Sequence, residues 1–397
     1  MWLDKDRRLG HLTYCTNIHA GEAWDDVMAS LRRNVPAIRQ SLAPEGDIGI
    51  GLRIGGAASE ALREASALEE LKAFLAEARA EIVTFNGFPY GAFHGTKVKE
   101  DAYKPDWADP VRLSYTDALA DTMSELLPDG EAGSISTVPG TFKDWAPGHE
   151  QAIARKMISH VAHLVDLERR KGKTITLALE PEPCCMLETV AESIDFFETH
   201  IFSADGIGQL ADEAGLSRSG AEEAMRKHIG LCYDVCHAAV EFENPRESVA
   251  DLRAAGIGIV KLQLSSALRL AAVDKVSLEA LRRFDEPVYL HQVIEAGPSG
   301  LTRYKDLQDA FATAEQAAGR EWRVHFHVPI FLDRLEHFDT TQFFLREILA
   351  MHREDPISRH LEVETYTWDV LPEQYRQVDV SQAIAREMNW VRDQLVS

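Results

Sequence analysis

What most constrains this chain is a repeating unit: a short apolar run that reads as a strand, then a longer segment with apolar residues at steps of three and four. Strand candidates fall at residues 12–18, 47–54, 81–88, 133–139, 173–182, 229–236, 257–265, 287–294, 323–330 and 360–367. After the first of them, Trp24, Val27, Met28, Leu31, Val35, Ile38 and Leu42 form one helical stripe. Ile153, Met157, Ile158, Val161, Leu164 and Val165 form another, which Arg169, Arg170, Lys171 and Gly172 bring to an end. Ser66 with Glu69 reads as a capping box, and Asp109-Pro110 and Asn244-Pro245 as N-caps followed by first-turn prolines. Strands alternating with helices require a mainly parallel sheet, open or closed.

The pattern inside the strands decides between those two. Ile175, Leu177 and Leu179 oppose Thr176, Ala178, Glu180 and Glu182; Leu231, Tyr233 and Val235 oppose Gly230, Cys232, Asp234 and Cys236. Val260, Leu262 and Leu264 oppose Lys261, Gln263 and Ser265, and Leu361 and Val363 oppose Glu362 and Glu364. An open sheet covered on both faces is apolar on both alternate sets. A barrel lays one set against its helices and turns the other inward, where polar groups converge at the C-terminal mouth. The chain is therefore expected to fold as an α/β protein, a (β/α)8 TIM barrel in a single domain over residues 1–397, with loop insertions at 97–131, 200–228 and 266–325. Ten candidates for eight places leave an extra strand pair, 287–294 and 323–330, before the last barrel strand. The spacing also allows 323–330 as the seventh barrel strand with 257–265 as the accessory one.

Charge and cysteine usage narrow the partners. With 64 acidic against 42 basic residues the net charge is −22, which argues against a general affinity for nucleic acid or anionic lipid. The longest uncharged run, residues 82–96, is too short for a membrane helix. MWLDKDRRLG carries charges where a secretion signal has its apolar core, and the five cysteines include the adjacent Cys184 and Cys185. Both features point to a cytoplasmic protein with reduced thiols. The expected partner is a small polar metabolite, and a homo-oligomer is compatible with the sequence.

The chemistry sits at strand ends. Leu179-Glu180-Pro181-Glu182-Pro183 closes the fifth strand, with Glu180 in its last turn; the sixth ends in Asp234-Val235-Cys236-His237; the last carries Glu362 and Glu364. Carboxylates sent into one mouth from several strands repel strongly, and stay ionised only around a cation. Carboxylates with an imidazole or amide suit Mn, Mg, Zn, Co or Fe as the divalent ion. His325 and His327 share a face and can aim at one ion or one substrate. Arg53 and Lys261 share the inward parity, as anion binders or as counter-charges to buried acids. Asn17, His19 and Asn86 are placed to line the mouth. Glu182 and Glu362 read as groups that support the site or pair with ions.

A glutamate closing the fifth strand in E-P, a D-x-x-H at the sixth, a polar side chain in the seventh and a glutamate in the eighth resemble the xylose-isomerase-like TIM barrels. That superfamily includes sugar isomerases, sugar 3-epimerases, inosose dehydratases and AP endonucleases. The resemblance implies metal ligands at Glu180, Asp234, Gln263 and Glu364, with Gln263 standing where relatives usually have histidine. It implies a substrate or second-metal role for His237, and the spacing from Gln263 to Arg269 resembles a substrate-binding arginine of the 3-epimerases. LTYCTNIHAGE, FNGFPYG, ALEPEPCC, HFHVPIF and LEVETYTW together resemble the bacterial metabolite-traffic family EboE, across most of the chain.

These readings converge on a metal-dependent isomerase, epimerase or dehydratase of a small polyol or sugar. The ion polarises a carbonyl while Glu182, His237 or His327 moves a proton, and Arg269, Asn17, Asn86, Lys261 and His325 contact substrate. The alternative is a non-catalytic escort protein on the same barrel. A phosphodiesterase like the AP endonucleases is disfavoured by the −22 charge and by Gln263.

Overall fold

In a computed structural model, residues 1–397 are described apart from 96, 374, 375, 377 and 397, so the last residue of the uncharged run 82–96 lies outside the described residues. Eight parallel strands close into a barrel: β1 (His11–Cys15), β2 (Ile48–Arg53), β3 (Ala80–Asn86), β4 (Gly133–Thr137), β5 (Ile175–Leu179), β6 (Ile229–Asp234), β7 (Ile259–Leu264) and, last in the chain, β14 (His360–Val363). Each lies beside its sequence neighbour, and β14 closes the ring between β7 and β1. The expected barrel is what the chain forms.

The helical stripes pack as their spacing demands. In Trp24–Leu42 all seven stripe residues are buried, and Glu150–Lys171 ends at Gly172, whose φ of +68° is the left-handed cap that glycine accepts without strain. Asp109 and Asn244 cap their helices through side-chain oxygens, as expected. Ser66 does not: its helix runs Ala65–Ala78 behind an N-cap at Glu64, which places Ser66 inside the first turn. Segment 97–131, expected as an insertion, supplies the barrel helix Pro110–Leu126.

The insertion before the last barrel strand is larger than the expected pair. A six-stranded antiparallel sheet contains β8 (Ala267–Leu270), β9 (Val293–Gly297), β10 (Gly300–Tyr304), β11 (Glu321–His327), β12 (Arg334–Leu335) and β13 (Phe338–Thr340), in the order β10-β9-β11-β8-β13-β12. Residues 259–264 pair with both β6 and β14, and 321–327 pair with β8 and β9, so the alternative register does not occur. Residues 288–292 are not strand; pairing starts at Val293. β8 follows β7 after two serines, which holds the end of β11 against the barrel mouth, with His327 opposite Ala267. Among the described residues, no helix is long and apolar enough to cross a membrane.

Inside the barrel the polar set forms a buried network in two parts. Lys261 Nζ lies 2.6 Å from Glu362 Oε1, both side chains fully buried. Thr13 Oγ1 donates to Glu362 Oε2 at 3.1 Å; in a second string, His360 Nδ1 lies 2.8 Å from Ser134 Oγ, which donates to Thr84 Oγ1 at 2.9 Å. Gly51 makes the room: a Cβ there would stand 1.2 Å from Glu362 Oε2.

Candidate functional site

Above this network the strand ends bring three carboxylates together. Pro181 stops β5, leaving Glu180 just beyond it with its amide bonded to Thr137 O at 3.1 Å. Asp234 ends β6 and caps the helix Val235–Val240: Oδ1 accepts from the His237 amide at 3.0 Å and from Ser265 Oγ at 2.7 Å. Glu364 follows β14, its Oε1 held by Asn17 Nδ2 at 2.6 Å and Asn86 Nδ2 at 3.1 Å. One oxygen from each of Glu180, Asp234 and Glu364 lies within 4.8 Å of the others. All three are buried, and Glu180 Oε2 and Asp234 Oδ2 have no hydrogen-bond partner among the described residues.

Burial and the neighbouring Asp234 push Glu180 up to about 7, and burial with Glu180 and Asp234 pushes Glu364 well above the usual carboxylate range. Burial also acts to raise Asp234, but His237, His327 and the Ser265 hydrogen bond outweigh it and hold this carboxyl low. Gln263 pairs in register with Asp234 and with Glu362, is fully buried, and has neither amide atom bonded to a described group. Three of these bare atoms, Glu180 Oε2, Asp234 Oδ2 and Gln263 Oε1, are oxygens able to face a cation, whereas Gln263 Nε2 can only donate.

A second cluster adjoins the first. His237 Nδ1 lies 2.8 Å from Pro181 O, His325 Nδ1 2.8 Å from Gln292 Oε1, and His327 Nδ1 3.0 Å from Glu364 O. Gln292 is oriented by its Nε2, which donates to Pro183 O at 3.0 Å and to Tyr103 OH at 3.1 Å. Carbonyl oxygens only accept, so each Nδ1 carries its hydrogen and the neutral form of each ring leaves Nε2 as a lone pair. The Nε2 atoms of His237 and His325 are 3.1 Å apart. Two lone pairs repel at that distance, so a proton or a cation belongs there. Burial lowers both imidazoles, but Asp234, Glu182 and Glu180 raise His237 overall, whereas His325 stays well below its ordinary value. Of the two rings, His237 is the one whose neighbours favour the protonated form. Glu182, raised by burial, accepts from Tyr103 OH at 2.8 Å.

These floors open into a cavity of about 560 Å³ including its mouth, walled by Phe88, Phe93, Tyr103, Tyr289 and Tyr366. Asn17, Asn86, Glu180, Glu182, His237, His325 and Glu364 all reach it, as the sequence reading expected. Other expected residues do not line it: Asp234 and Gln263 are buried without reaching the cavity, His19 lies 3.3 Å from Tyr14 OH, and Arg53 serves as a counter-charge, the second of its two expected roles. Lys261 lies deeper in the barrel on Glu362, because it is two residues before Gln263 on the same strand face. Arg269 sits on β8, gripped by Glu321 at 2.8 and 2.9 Å and by Asp339 at 3.4 Å. Arg53 is bound to Glu22 and to the Gly21 and Gly91 carbonyls. His327 is fully buried behind the cavity, close to Asp234 and His237, so it is not placed to touch a substrate. Tyr103 and Gln292, which fix the second cluster, are not among the expected site residues: Tyr103 lies in the expected insertion 97–131 and Gln292 in the candidate strand 287–294, and only the third dimension joins them.

No protein-family model matches this chain, and no curated protein matches it in sequence. Solved structures align with it along nearly its whole length. The probable 3-DHS dehydratase AsbF of Bacillus anthracis aligns over 96% of this chain and 97% of its own, at 12% identity and a TM-score of 0.47. The 3-keto-D-glucoside 4-epimerase YcjR of E. coli aligns over 97% and 99%, at 13% identity and a TM-score of 0.45. The IolI protein with a bound zinc atom aligns over 98% of both chains, at 13% identity and a TM-score of 0.44. At these scores the likeness carries no argument about chemistry.

Proposed function

We propose that this chain is a divalent-metal-dependent isomerase, epimerase or dehydratase acting on a small polar metabolite in the cytoplasm. The observation that carries the reading is the convergence of Glu180, Asp234 and Glu364 from three separate strands, each buried, with Lys261 committed to Glu362. These residues fit an ion: hard oxygens, two of them bare, with the neutral Gln263 amide on the same face of the next strand. When bound, such an ion polarises a carbonyl and lowers the pKa of an adjacent C–H or O–H.

The protein's own residues do the rest. Asn17 and Asn86 lock Glu364 so that it cannot rotate away from the cluster. The aromatic walls give the cavity an apolar lining above its polar floor. Glu182 and His237 are the groups at the cavity able to move a proton at a substrate carbon or oxygen, Glu182 through the oxygen not held by Tyr103 and His237 through Nε2. Lys99, at the rim, is tied to Asp306 at 2.6 Å, which disfavours a phosphorylated substrate. The motifs resembling the EboE family support a precursor of a secondary pathway as the metabolite, and the five unpaired cysteines support a reducing compartment.

The test is a panel of keto-sugars and cyclitols incubated with the metal-loaded protein in D2O. The expected result is deuterium incorporation next to the carbonyl, abolished in Glu182→Gln, with stoichiometric metal that is lost in Glu180→Gln and Glu364→Gln. Ligand binding that survives EDTA, with no exchange in any substrate, would favour the escort role instead.

A further inference from the structure

We propose that the substrate of this cavity is an uncharged molecule in two parts: a hydroxylated carbonyl head on the polar floor, continued into an aryl or similarly flat apolar group against the aromatic wall. The head rests on the function proposed above; the apolar part stands on the wall alone.

The cavity lining is divided by chemistry. Carboxylates, asparagines and histidines gather at the floor, and apart from them and Lys99 every described lining residue is aromatic or apolar. Phe93, Tyr289 and Tyr366 form one continuous surface, with ring centroids 5.1, 5.4 and 5.2 Å apart. Phe88 and Tyr103 form another, at 5.9 Å. Tyr289 OH donates to Phe93 O at 2.8 Å, and Tyr103 OH donates to Glu182 while accepting from Gln292. What Phe88, Phe93, Tyr103 and Tyr289 offer a ligand is therefore ring surface. A polyol laid against it gives up water without gaining hydrogen bonds, whereas an aryl group is stabilised by leaving water.

The wall disfavours charge as well. Lys99 is the only lysine or arginine in the lining among the described residues, and Asp306 holds it. Arg53 and Arg269 are held by Glu22 and Glu321. A phosphate or carboxylate on the apolar part would find no free ammonium or guanidinium there.

The two zones come from different parts of the chain. The floor belongs mainly to barrel strand ends, whereas Phe88, Phe93 and Tyr103 lie between β3 and the helix Pro110–Leu126, and Tyr289 lies in the insertion before β9. The barrel thus holds the reacting end, and the connections select what is attached to it.

The experiment measures dissociation constants by calorimetry on the full chain loaded with Mn2+. The probes are hydroxyacetone, 1-hydroxy-3-phenylpropan-2-one and the para-carboxylate of the latter. The phenyl ketone should bind at least about tenfold more tightly than hydroxyacetone, as expected for burial of one ring. The para-carboxylate should lose most of that gain. In Phe93→Ala the phenyl advantage should fall to about threefold or less, with circular dichroism verifying the fold. Phe88→Ala, in the other ring group, makes the same test if Phe93→Ala does not fold. Equal affinity for the two uncharged ketones, binding of neither, or a phenyl advantage that survives in the folded variants overturns the proposal. Tighter binding of the para-carboxylate overturns it too. Manganese content, counted on the same samples, reports separately on the function beneath it. A phenyl advantage lost in Phe93→Ala supports the two-part substrate even where no metal is retained, and that result would remove the metal-dependent reading alone.

Discussion

Two layers of the same barrel treat buried acid in opposite ways. In the interior, Glu362 meets Lys261 at 2.6 Å and Thr13 at 3.1 Å, so its charge is balanced by the chain itself. At the mouth, Glu180, Asp234 and Glu364 gather with no lysine or arginine bonded to them among the described residues, and with two oxygens bare. Both layers are buried and both are polar, so polarity alone does not mark a functional site. The marker is an unbalanced account: a charge buried without its counter-charge implies a partner from outside.

Breaking the interior pair should have the largest effect. Lys261→Met leaves Glu362 charged and unpaired in the middle of the barrel, at a cost of about 3–5 kcal/mol. The double variant with Glu362→Leu should recover most of that, because a buried pair replaced by apolar groups of similar size is close to neutral. Urea unfolding of the chelator-treated protein reads both. A single-variant cost below about 1 kcal/mol would show that water reaches the barrel interior, and the contrast between the layers would fail.

This contrast also separates what was legible in the sequence from what was not. The alternation that sends Glu180, Asp234, Gln263 and Glu364 inward is local, with a period of two, and survives any tertiary arrangement. Parity gives the direction of a side chain but not its depth. Lys261 shares the parity of Gln263, yet lies roughly 7 Å further down the strand, at about 3.3 Å per residue. Parity alone therefore places Lys261 at the substrate, where depth does not. Arg269 was misplaced for another reason: the chain turns after Ser266 into an antiparallel sheet, and no spacing rule carries across that turn. Tyr103 and Gln292 meet across 189 residues of chain, beyond any local signal.

A third kind of buried acid sharpens the comparison through pH. Glu387 is buried, accepts from the Ile330 amide and from Thr365 Oγ1, and pairs with no cation among the described residues; burial raises it from 4.5 to about 7. The folded protein therefore holds a proton there that the unfolded chain releases near pH 4.5. Its contribution is complete below that value and lost as pH rises through about 7. By linkage the loss is about 3 kcal/mol. Glu387→Gln should match wild type at pH 4.5 and exceed its stability by about that amount at pH 8. Parallel stability profiles across that window would refute the assignment of this acid as proton-balanced.

At the mouth the sign of a mutation should depend on metal. In EDTA, Glu364→Gln removes like-charge repulsion and should stabilise the protein by about 1 kcal/mol. With saturating Mn2+ or Zn2+ the order reverses, because wild type gains about 2.7 kcal/mol at a hundredfold excess over Kd while the variant gains less. Thermal melts of both proteins with and without metal test it. Destabilisation in EDTA as well would mean that Glu364 is a structural acid, like Glu362, and that the mouth needs no external cation.

The smallest effect should come from Arg269, the residue that spacing alone assigned to substrate. Its guanidinium is held by Glu321 and Asp339, and about a quarter of its side chain is exposed. Glu321 keeps Arg323 at 2.8 Å when Arg269 is removed, so no acid is left unbalanced. Arg269→Gln should cost under about 1 kcal/mol, as for other partly exposed ion pairs. Metal stoichiometry and substrate affinity should not change. A tenfold loss of affinity in a folded Arg269→Gln protein would mean that β8 swings into the mouth when substrate binds, and the line drawn between accessory sheet and cavity would have to be moved.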